Sequence, residues 1–284
     1  MIELDFECVR GLLGERPVDS NKGRNGKGLL LAGSDGLTGA ALMSATAALR
    51  TGIGTLKVLC PQSVKPALYA LPEAIPCTFA GGWGDLNQAE LHALLQTSTC
   101  VGVGPGMDRD AGVQSAVKEA LSSGLPMVLD ADGLNALAAA RDKRSVLHGN
   151  TVLTPHPGEM ARLCAKTVAQ IVAGPRQVAE ACAREWGCVV LLKGHESFIA
   201  EPSGRVARNT SGNAGLSKGG SGDVLTGMIL ALLGQGLGAF DAACAGAFLL
   251  GASADQAFEL LKERMLMARD VIDAVEQTLK VLLP

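Results

Sequence analysis

Asn209-Thr210-Ser211-Gly212-Asn213-Ala214-Gly215-Leu216-Ser217-Lys218-Gly219-Gly220-Ser221-Gly222-Asp223-Val224-Leu225-Thr226-Gly227 is the stretch on which the reading of this chain turns. Five glycines fall between Gly212 and Gly222, and the sequence then becomes apolar and helical. A glycine-rich loop running into a helix N-terminus aims backbone N–H groups at one point, and the helix dipole adds partial positive charge there. That combination is an anion site. Asp223 falls at the start of the helix, where two readings compete. It caps the helix, as aspartate often does. Alternatively, it takes a proton from a hydroxyl that attacks a bound phosphate. The glycine density upstream favours a phosphate loop with a catalytic Asp223.

Outward from this stretch, short apolar runs alternate with helical ones. Strands are expected at 28–32, 55–60, 75–79, 99–102, 126–129, 151–153 and 188–192, and a hairpin over 198–200 and 205–207. Helices are expected at 38–50, 86–96, 111–122, 134–140, 175–186, 223–233, 239–262 and 270–282, with one more after Glu159. Such alternation implies βαβ units and a mostly parallel sheet. Residues 1–27 read as irregular, and 1–25 as an N-terminal extension without assigned structure. No linker, charge block or repeat divides the 284 residues, so a single α/β domain over 1–284 is expected.

Composition narrows the function classes. Hydrophobic residues make up 48% and aromatics 3%, which suits a buried sheet and excludes disorder. A net charge of −3 leaves no electrostatic footprint for nucleic acid. The eight cysteines show no C-x-x-C and no metal spacing, and those beside apolar runs read as reduced core residues. The N-terminus carries acids where a signal peptide needs bases, so a cytoplasmic location is expected. Residues 224–240 carry no charge, a length close to a membrane span. The glycines at 234, 236 and 238 interrupt the run, so it reads as two buried helices joined by a turn.

The remaining polar clusters fall just after strands, at the edge where open α/β sheets bind ligands. Gly102-Val103-Gly104-Pro105-Gly106 lacks the third glycine of a dinucleotide fingerprint, because Met107 stands there. It reads as a tight turn that lets backbone approach a ligand. Asp130 and Asp132 either support Mg²⁺ through water or, for Asp132, cap the next helix. His156 either lies exposed in a turn or donates to a polar ligand. Glu159 faces a hydrated metal or caps its helix. Lys193-Gly194 ends an apolar strand, with Ser197 close by. It reads as a surface lysine or as a phosphate or adenosine contact.

Taken together, GSDGLTGAALMSATAALRTGIG (33–54), GVGPG (102–106), LDADGLNAL (129–137), LTPHPGEMARL (153–163), LLKG (191–194) and GNAGLSKGGSGDVLTGMI (212–229) resemble the NAD(P)H-hydrate dehydratases, a ribokinase-like family. The resemblance runs from about residue 25 to the end. It implies a ribokinase-like α/β fold with a mostly parallel central sheet flanked by helices on both faces. It implies dehydration of the S epimers of hydrated NADH and NADPH (NADHX and NADPHX), with ADP as co-substrate, Mg²⁺, and AMP and phosphate as products. Carried over by position, Ala40, Gly104 or Gly106, His156 and Asp223 would touch the hydrated dinucleotide. Lys193, Gly194, His195, Glu196, Ser197, Gly219, Gly220 and Gly222 would touch the nucleotide, and Asp223 would be the base. Asp130 and Glu159 are the metal candidates. A separate epimerase partner and a homo-oligomer, a tetramer by analogy, are also implied, with neither nucleic acid nor membrane involved. One departure is Gly212-Asn213-Ala214-Gly215-Leu216-Ser217, where the family often has Gly-Asn-Pro-Gly-Met-Ala.

The chemistry is coherent on its own terms. Water leaves poorly and phosphate leaves well. Phosphorylating the hydrate's hydroxyl lets the ring nitrogen's lone pair expel phosphate. The first step needs positioned donors, a metal and a base. Two rival readings use the same loop: a small-molecule kinase acting on a vitamin-precursor alcohol, and a non-catalytic nucleotide-binding regulator. His156 and residues 33–40 fit the dehydratase better than the kinase. Asp223 argues against the regulator.

Overall fold

The computed structural model describes residues 1–14, 19–140 and 142–283. Residues 15–18, part of the stretch expected to be irregular, lie outside the described residues. In chain order the elements begin with β1 (Ile2–Glu3), α1 (Phe6–Leu13), β2 (Lys27–Leu31), α2 (Thr38–Arg50), β3 (Thr55–Pro61), α3 (Lys65–Leu68) and β4 (Ala74–Phe79). Next come α4 (Gln88–Gln96), β5 (Cys100–Val103), α5 (Ala111–Ser122), β6 (Met127–Leu129), α6 (Ala131–Ala138), β7 (Thr151–Leu153) and α7 (Pro157–Cys164). The chain closes with α8 (Val168–Ala173), α9 (Pro175–Trp186), β8 (Val189–Leu192), β9 (Ser197–Ala200), β10 (Val206–Asn209), α10 (Ser221–Gly234), α11 (Ala239–Met265) and α12 (Ala268–Leu282).

The ten strands form one sheet in the order β1-β10-β9-β8-β7-β6-β5-β2-β3-β4. From β8 through to β4 every pairing is parallel; β9 runs antiparallel to both β8 and β10. Side chains alternate between the two faces of a strand. Leu30, Cys100, Val128, Val152 and Leu191 therefore pack on the face covered by α2, α10 and α11. Leu29, Leu31, Val101, Val103, Leu129 and Leu153 build the core beneath the helices of the other face. Both faces of the sheet are covered, which is why its strands are nearly continuous apolar runs. The fold is ribokinase-like, as expected.

The uncharged run at 224–240 resolves as expected into α10 and α11 with a turn between them. Among the described residues, no helix is long and apolar enough to cross a membrane. The start of the chain is a correction, because it is not irregular throughout. Asp5 caps α1 by accepting from the Cys8 N–H at 2.8 Å, and Val9 is buried. Phe6 meets Phe248 edge-on at 5.0 Å between ring centroids. β1 then adds a parallel strand beside β10, pairing Ile2 with Ala207. A two-residue strand carries no period, and its stability comes from a neighbour about two hundred positions away.

Strand order reverses between β5 and β2, and the loops after these two strands meet there. The Gly33 N–H donates to the Pro105 carbonyl at 2.8 Å. Such a reversal leaves a crevice at the carboxyl ends of the strands.

Candidate active site

The glycine-rich loop is fixed before it reaches its helix. Asp255 on α11 accepts from the Gly212 N–H at 2.8 Å and from the Asn213 side chain at 3.0 Å. Lys218 donates to the Arg264 and Leu266 carbonyls at 2.7 Å each. The loop therefore lies against the far end of α11. Gly220 then turns into α10 with φ of 99°. A Cβ there would sit 2.7 Å from the Met43 sulfur and 2.8 Å from the Ala268 methyl, so both backbone and space require glycine. No side chain caps α10. Its first N–H groups face the site with the helix dipole behind them.

Asp223 occupies the third position of α10 and makes no capping hydrogen bond. The capping reading of this residue is thus corrected. Burial, and after it the Asp130 charge, pushes the Asp223 carboxyl up to about 7; Lys193 opposes the rise and Asp132 adds to it. A carboxyl poised near neutrality in a cleft suits proton abstraction.

Behind Asp223 lies a buried polar network that joins three strand ends. Asp130 precedes α6 but caps nothing. Its Oδ1 lies 2.8 Å from Lys193 Nζ, and its Oδ2 accepts from the Thr226 hydroxyl at 3.1 Å. Thr226 is fully buried, one turn beyond Asp223. Lys193 Nζ also lies 3.9 Å from Glu159 Oε2. The lysine side chain is 22% exposed, so it is not a free surface lysine. Burial works against its charge, but Asp130 and Glu159 outweigh burial and hold its pKa above the ordinary lysine value.

His156 caps α7. Its Nδ1 accepts from the Gly158 N–H at 3.0 Å, and the Glu159 carboxylate accepts from the His156 N–H at 2.8 Å. The His156 side chain is 53% exposed, so half of the simple exposed-turn reading stands. Because Nδ1 accepts, the ring proton is on Nε2, which lies 3.5 Å from Glu159 Oε1. Burial, then Lys193 and Arg162, holds the His156 pKa below the ordinary histidine value, with Asp130 opposing. Burial raises Glu159 above the usual carboxylate range, with Lys193 opposing. Asp132, read either as a support for Mg²⁺ through water or as a helix cap, accepts from the Asp108 N–H at 2.9 Å. It ties the loop after β5 to α6.

These groups surround a cleft of about 880 Å³ at the carboxyl edge of the sheet. Asp130, His156, Glu159, Lys193 and Asp223 line it, as do Gly194, His195, Ser197, Gly219 and Gly222. Glu196 and Gly220 are not on its wall; Glu196 turns to Arg208, 3.4 Å away. Ala40, Gly104 and Gly106 lie at the strand-order reversal instead. There a Cβ on Gly106 would come within 2.8 Å of the Ala40 methyl, so Ala40 and Gly106 touch each other but not this cleft. Thr226 was not singled out in the sequence. Its signal was its spacing, three residues after Asp223 on the same helical face.

Magnesium takes oxygen ligands and commonly keeps several waters. Among the described residues, no group of three or more His, Cys, Asp or Glu side chains is placed to hold an ion. Asp130 is engaged by Lys193 and Thr226, and Glu159 by the His156 N–H. Their remaining lone pairs suit hydrogen bonds from the waters of an ion carried in by phosphate oxygens. The donor set fits that arrangement and does not fit a cage built by protein alone.

Fold and site together define a ribokinase-like α/β protein with a polyphosphate-sized cleft, an uncapped helix N-terminus and a poised carboxyl. The NAD(P)H-hydrate dehydratase family matches residues 28–276, and the chain belongs to that family. It is 42% identical to the bifunctional NAD(P)H-hydrate repair enzyme Nnr of Moorella thermoacetica, over 95% of this chain and 52% of that protein. It is 38% identical to the ADP-dependent (S)-NAD(P)H-hydrate dehydratase of Bacillus subtilis, over 80% of this chain and 79% of that protein. The crystal structure of the ADP/ATP-dependent NAD(P)H-hydrate dehydratase from Bacillus subtilis, co-crystallized with ATP/Mg²⁺, superimposes with a TM-score of 0.87 at 34% identity. That match covers 98% of this chain and 97% of the other. The chain spans about half the length of the bifunctional relatives it matches.

Proposed function

We propose that this protein dehydrates the S epimers of NADHX and NADPHX at the expense of ADP, restoring NADH or NADPH and releasing AMP and phosphate. The observation that carries the reading is the placement of Asp223: a carboxyl held near neutrality, free of any cap, at the positive end of α10 and on the wall of the cleft.

In this mechanism the N–H groups that open α10 hold the phosphoryl group in transit. Asp223 accepts the proton of the hydrate's hydroxyl as that oxygen attacks the β-phosphorus of ADP. The bond from phosphorus to the AMP oxygen breaks, and AMP leaves. The ring nitrogen's lone pair then expels phosphate, the carbon–oxygen bond breaks, and loss of a ring proton restores the dihydronicotinamide double bond. His156 offers its Nε2 proton to a polar group of the substrate. Magnesium, when it arrives with the nucleotide, offsets the charge of the phosphates. Asp130, Glu159 and Lys193 orient the site from beneath. Ala40, Gly104 and Gly106 hold the dinucleotide at the adjoining crevice, and Lys193, Gly194, His195 and Ser197 with Gly219 and Gly222 hold the nucleotide, while Gly220 shapes the turn and Glu196 stays with Arg208. An epimerase supplied elsewhere would convert R hydrates to the S substrate.

The test is to mix purified protein with NADHX, Mg²⁺ and either ADP or ATP, and to follow NADH absorbance together with AMP and phosphate. Return of NADH with one phosphate per turnover, faster with ADP, is expected. A stable phosphorylated product without NADH would make the protein a kinase instead. Nucleotide binding without turnover would make it a regulator.

A further inference from the structure

Two thiols outside the cleft touch one another. Cys164 is the last residue of α7 and is half-buried; Cys182 lies on α9 and is buried. Their Sγ atoms are 3.3 Å apart, although the residues are 18 positions apart in the chain. From this contact we propose that Cys164 and Cys182 form a dithiol that hydrogen peroxide, or a hydroperoxide of the same class, converts to a disulfide.

The surroundings favour Cys164 as the thiol that reacts first. It is the more exposed of the two. The contact with Cys182, first, favours the Cys164 thiolate against burial. Lys166 and Lys143 act in the same direction, and Glu185 opposes them. The thiolate is the nucleophilic form. At Cys8, Cys60, Cys77, Cys100, Cys188 and Cys244, burial raises the thiol pKa instead. Among the described residues, Cys164 and Cys182 make the thiol–thiol contact within hydrogen-bonding distance.

The steps balance. The Cys164 thiolate attacks one peroxide oxygen, the oxygen–oxygen bond breaks, and hydroxide leaves and is protonated to water. Cys164 is now a sulfenic acid. The Cys182 sulfur attacks the Cys164 sulfur, the sulfur–oxygen bond breaks, and the Cys182 proton leaves with that oxygen as a second water. Two thiols are oxidised, one peroxide is reduced, and a dithiol reductant reverses the change. The new bond would join α7, which His156 caps and which carries Glu159, to α9, which leads into β8, the strand just before Lys193.

The experiment treats fully reduced protein with limiting hydrogen peroxide, alkylates the remaining thiols under denaturing conditions, and maps the peptides by mass. The expected result is a cross-linked Cys164–Cys182 peptide pair, lighter by two hydrogen atoms, that appears before any other cysteine is modified and is reversed by dithiothreitol. Cys182→Ser should instead accumulate a sulfenic acid at Cys164 that a dimedone probe captures. Prior oxidation of Cys8 or Cys77, or over-oxidation of Cys164 without a cross-link in the wild type, would overturn the proposal.

Discussion

At the scale of single residues, the charges beneath the cleft set the behaviour of Asp223. Its raised pKa has a definite consequence for stability. The unfolded chain loses this proton near 3.8, whereas the folded chain holds it to about 7. Between these values the folded state binds more protons, so stability falls as pH rises through that window. The penalty is fully present above it. Asp223→Asn removes the penalty. The variant should therefore melt close to the wild-type temperature near pH 4 and above it near pH 8, by the equivalent of up to about 4 kcal/mol. Thermal melts at the two values check this; equal melting temperatures at both would contradict the buried-carboxyl account. Lys193 acts in the opposite sense. Lys193→Ala leaves Asp130 and Glu159 without their cation and costs about 1–3 kcal/mol of stability, less than the loss of a fully buried pair because the lysine is partly exposed. It also raises the Asp223 pKa further, so the acid limb of the kcat/KM profile should move to higher pH. A profile with an unmoved acid limb would return Lys193 to a role in nucleotide contact alone. The pairing with Asp130 was not legible in the sequence, because the two residues are 63 positions apart and meet only when β6 and β8 flank β7.

At the scale of elements, the glycine loop and α10 act as one device. Gly220→Ala strains a φ of 99° and drives a methyl into Met43 and Ala268. It should cost about 1–3 kcal/mol of stability and weaken nucleotide binding at least about tenfold. Gly219→Ala meets open space and should melt like the wild type. Melts and nucleotide titrations on the pair separate the two; equal behaviour would show that the turn at Gly220 does not shape the anion site. The sequence made this device legible because it is local: the glycines, the apolar helix and Asp223 are contiguous. The same holds for α2, α9 and β7, whose bounds follow directly from period and flanking turns. Elements held by distant partners were not legible. β1 exists through β10, and the loop from Gly212 is held by Asp255 across the length of α11. Residue roles at the strand-order reversal were carried by resemblance alone. Ala40 and Gly106 have no chemistry of their own and matter only as small surfaces in contact.

At the scale of the whole molecule, a parallel sheet covered on both faces gathers the loops after β5, β6, β7 and β8 at one edge, and α10 closes that edge from the side. Nucleotide, hydrated dinucleotide and magnesium would then meet over one rigid support. A ligand that binds only the folded state raises its melting temperature by mass action, about 2.7 kcal/mol at a hundredfold excess over Kd. ADP with Mg²⁺ should therefore raise the melting temperature. EDTA should abolish that rise while leaving the ligand-free protein unchanged, because on this account the metal arrives with phosphate, and among the described residues no cluster of protein ligands is placed to hold it. A lower melting temperature of the ligand-free protein in EDTA would reveal a resident ion and contradict the account of the site.

The most direct test of the central claim is turnover by Asp223→Asn, measured beside its nucleotide affinity. Asparagine keeps the shape and hydrogen-bonding reach of aspartate but cannot take a proton. Loss of a general base costs about 10²–10⁴-fold in rate. A folded protein that binds ADP at least as well as the wild type and turns over NADHX in that reduced range is predicted. Turnover within a few-fold of wild type would contradict Asp223 as the base, and with it the role assigned to the helix that begins at the glycine loop.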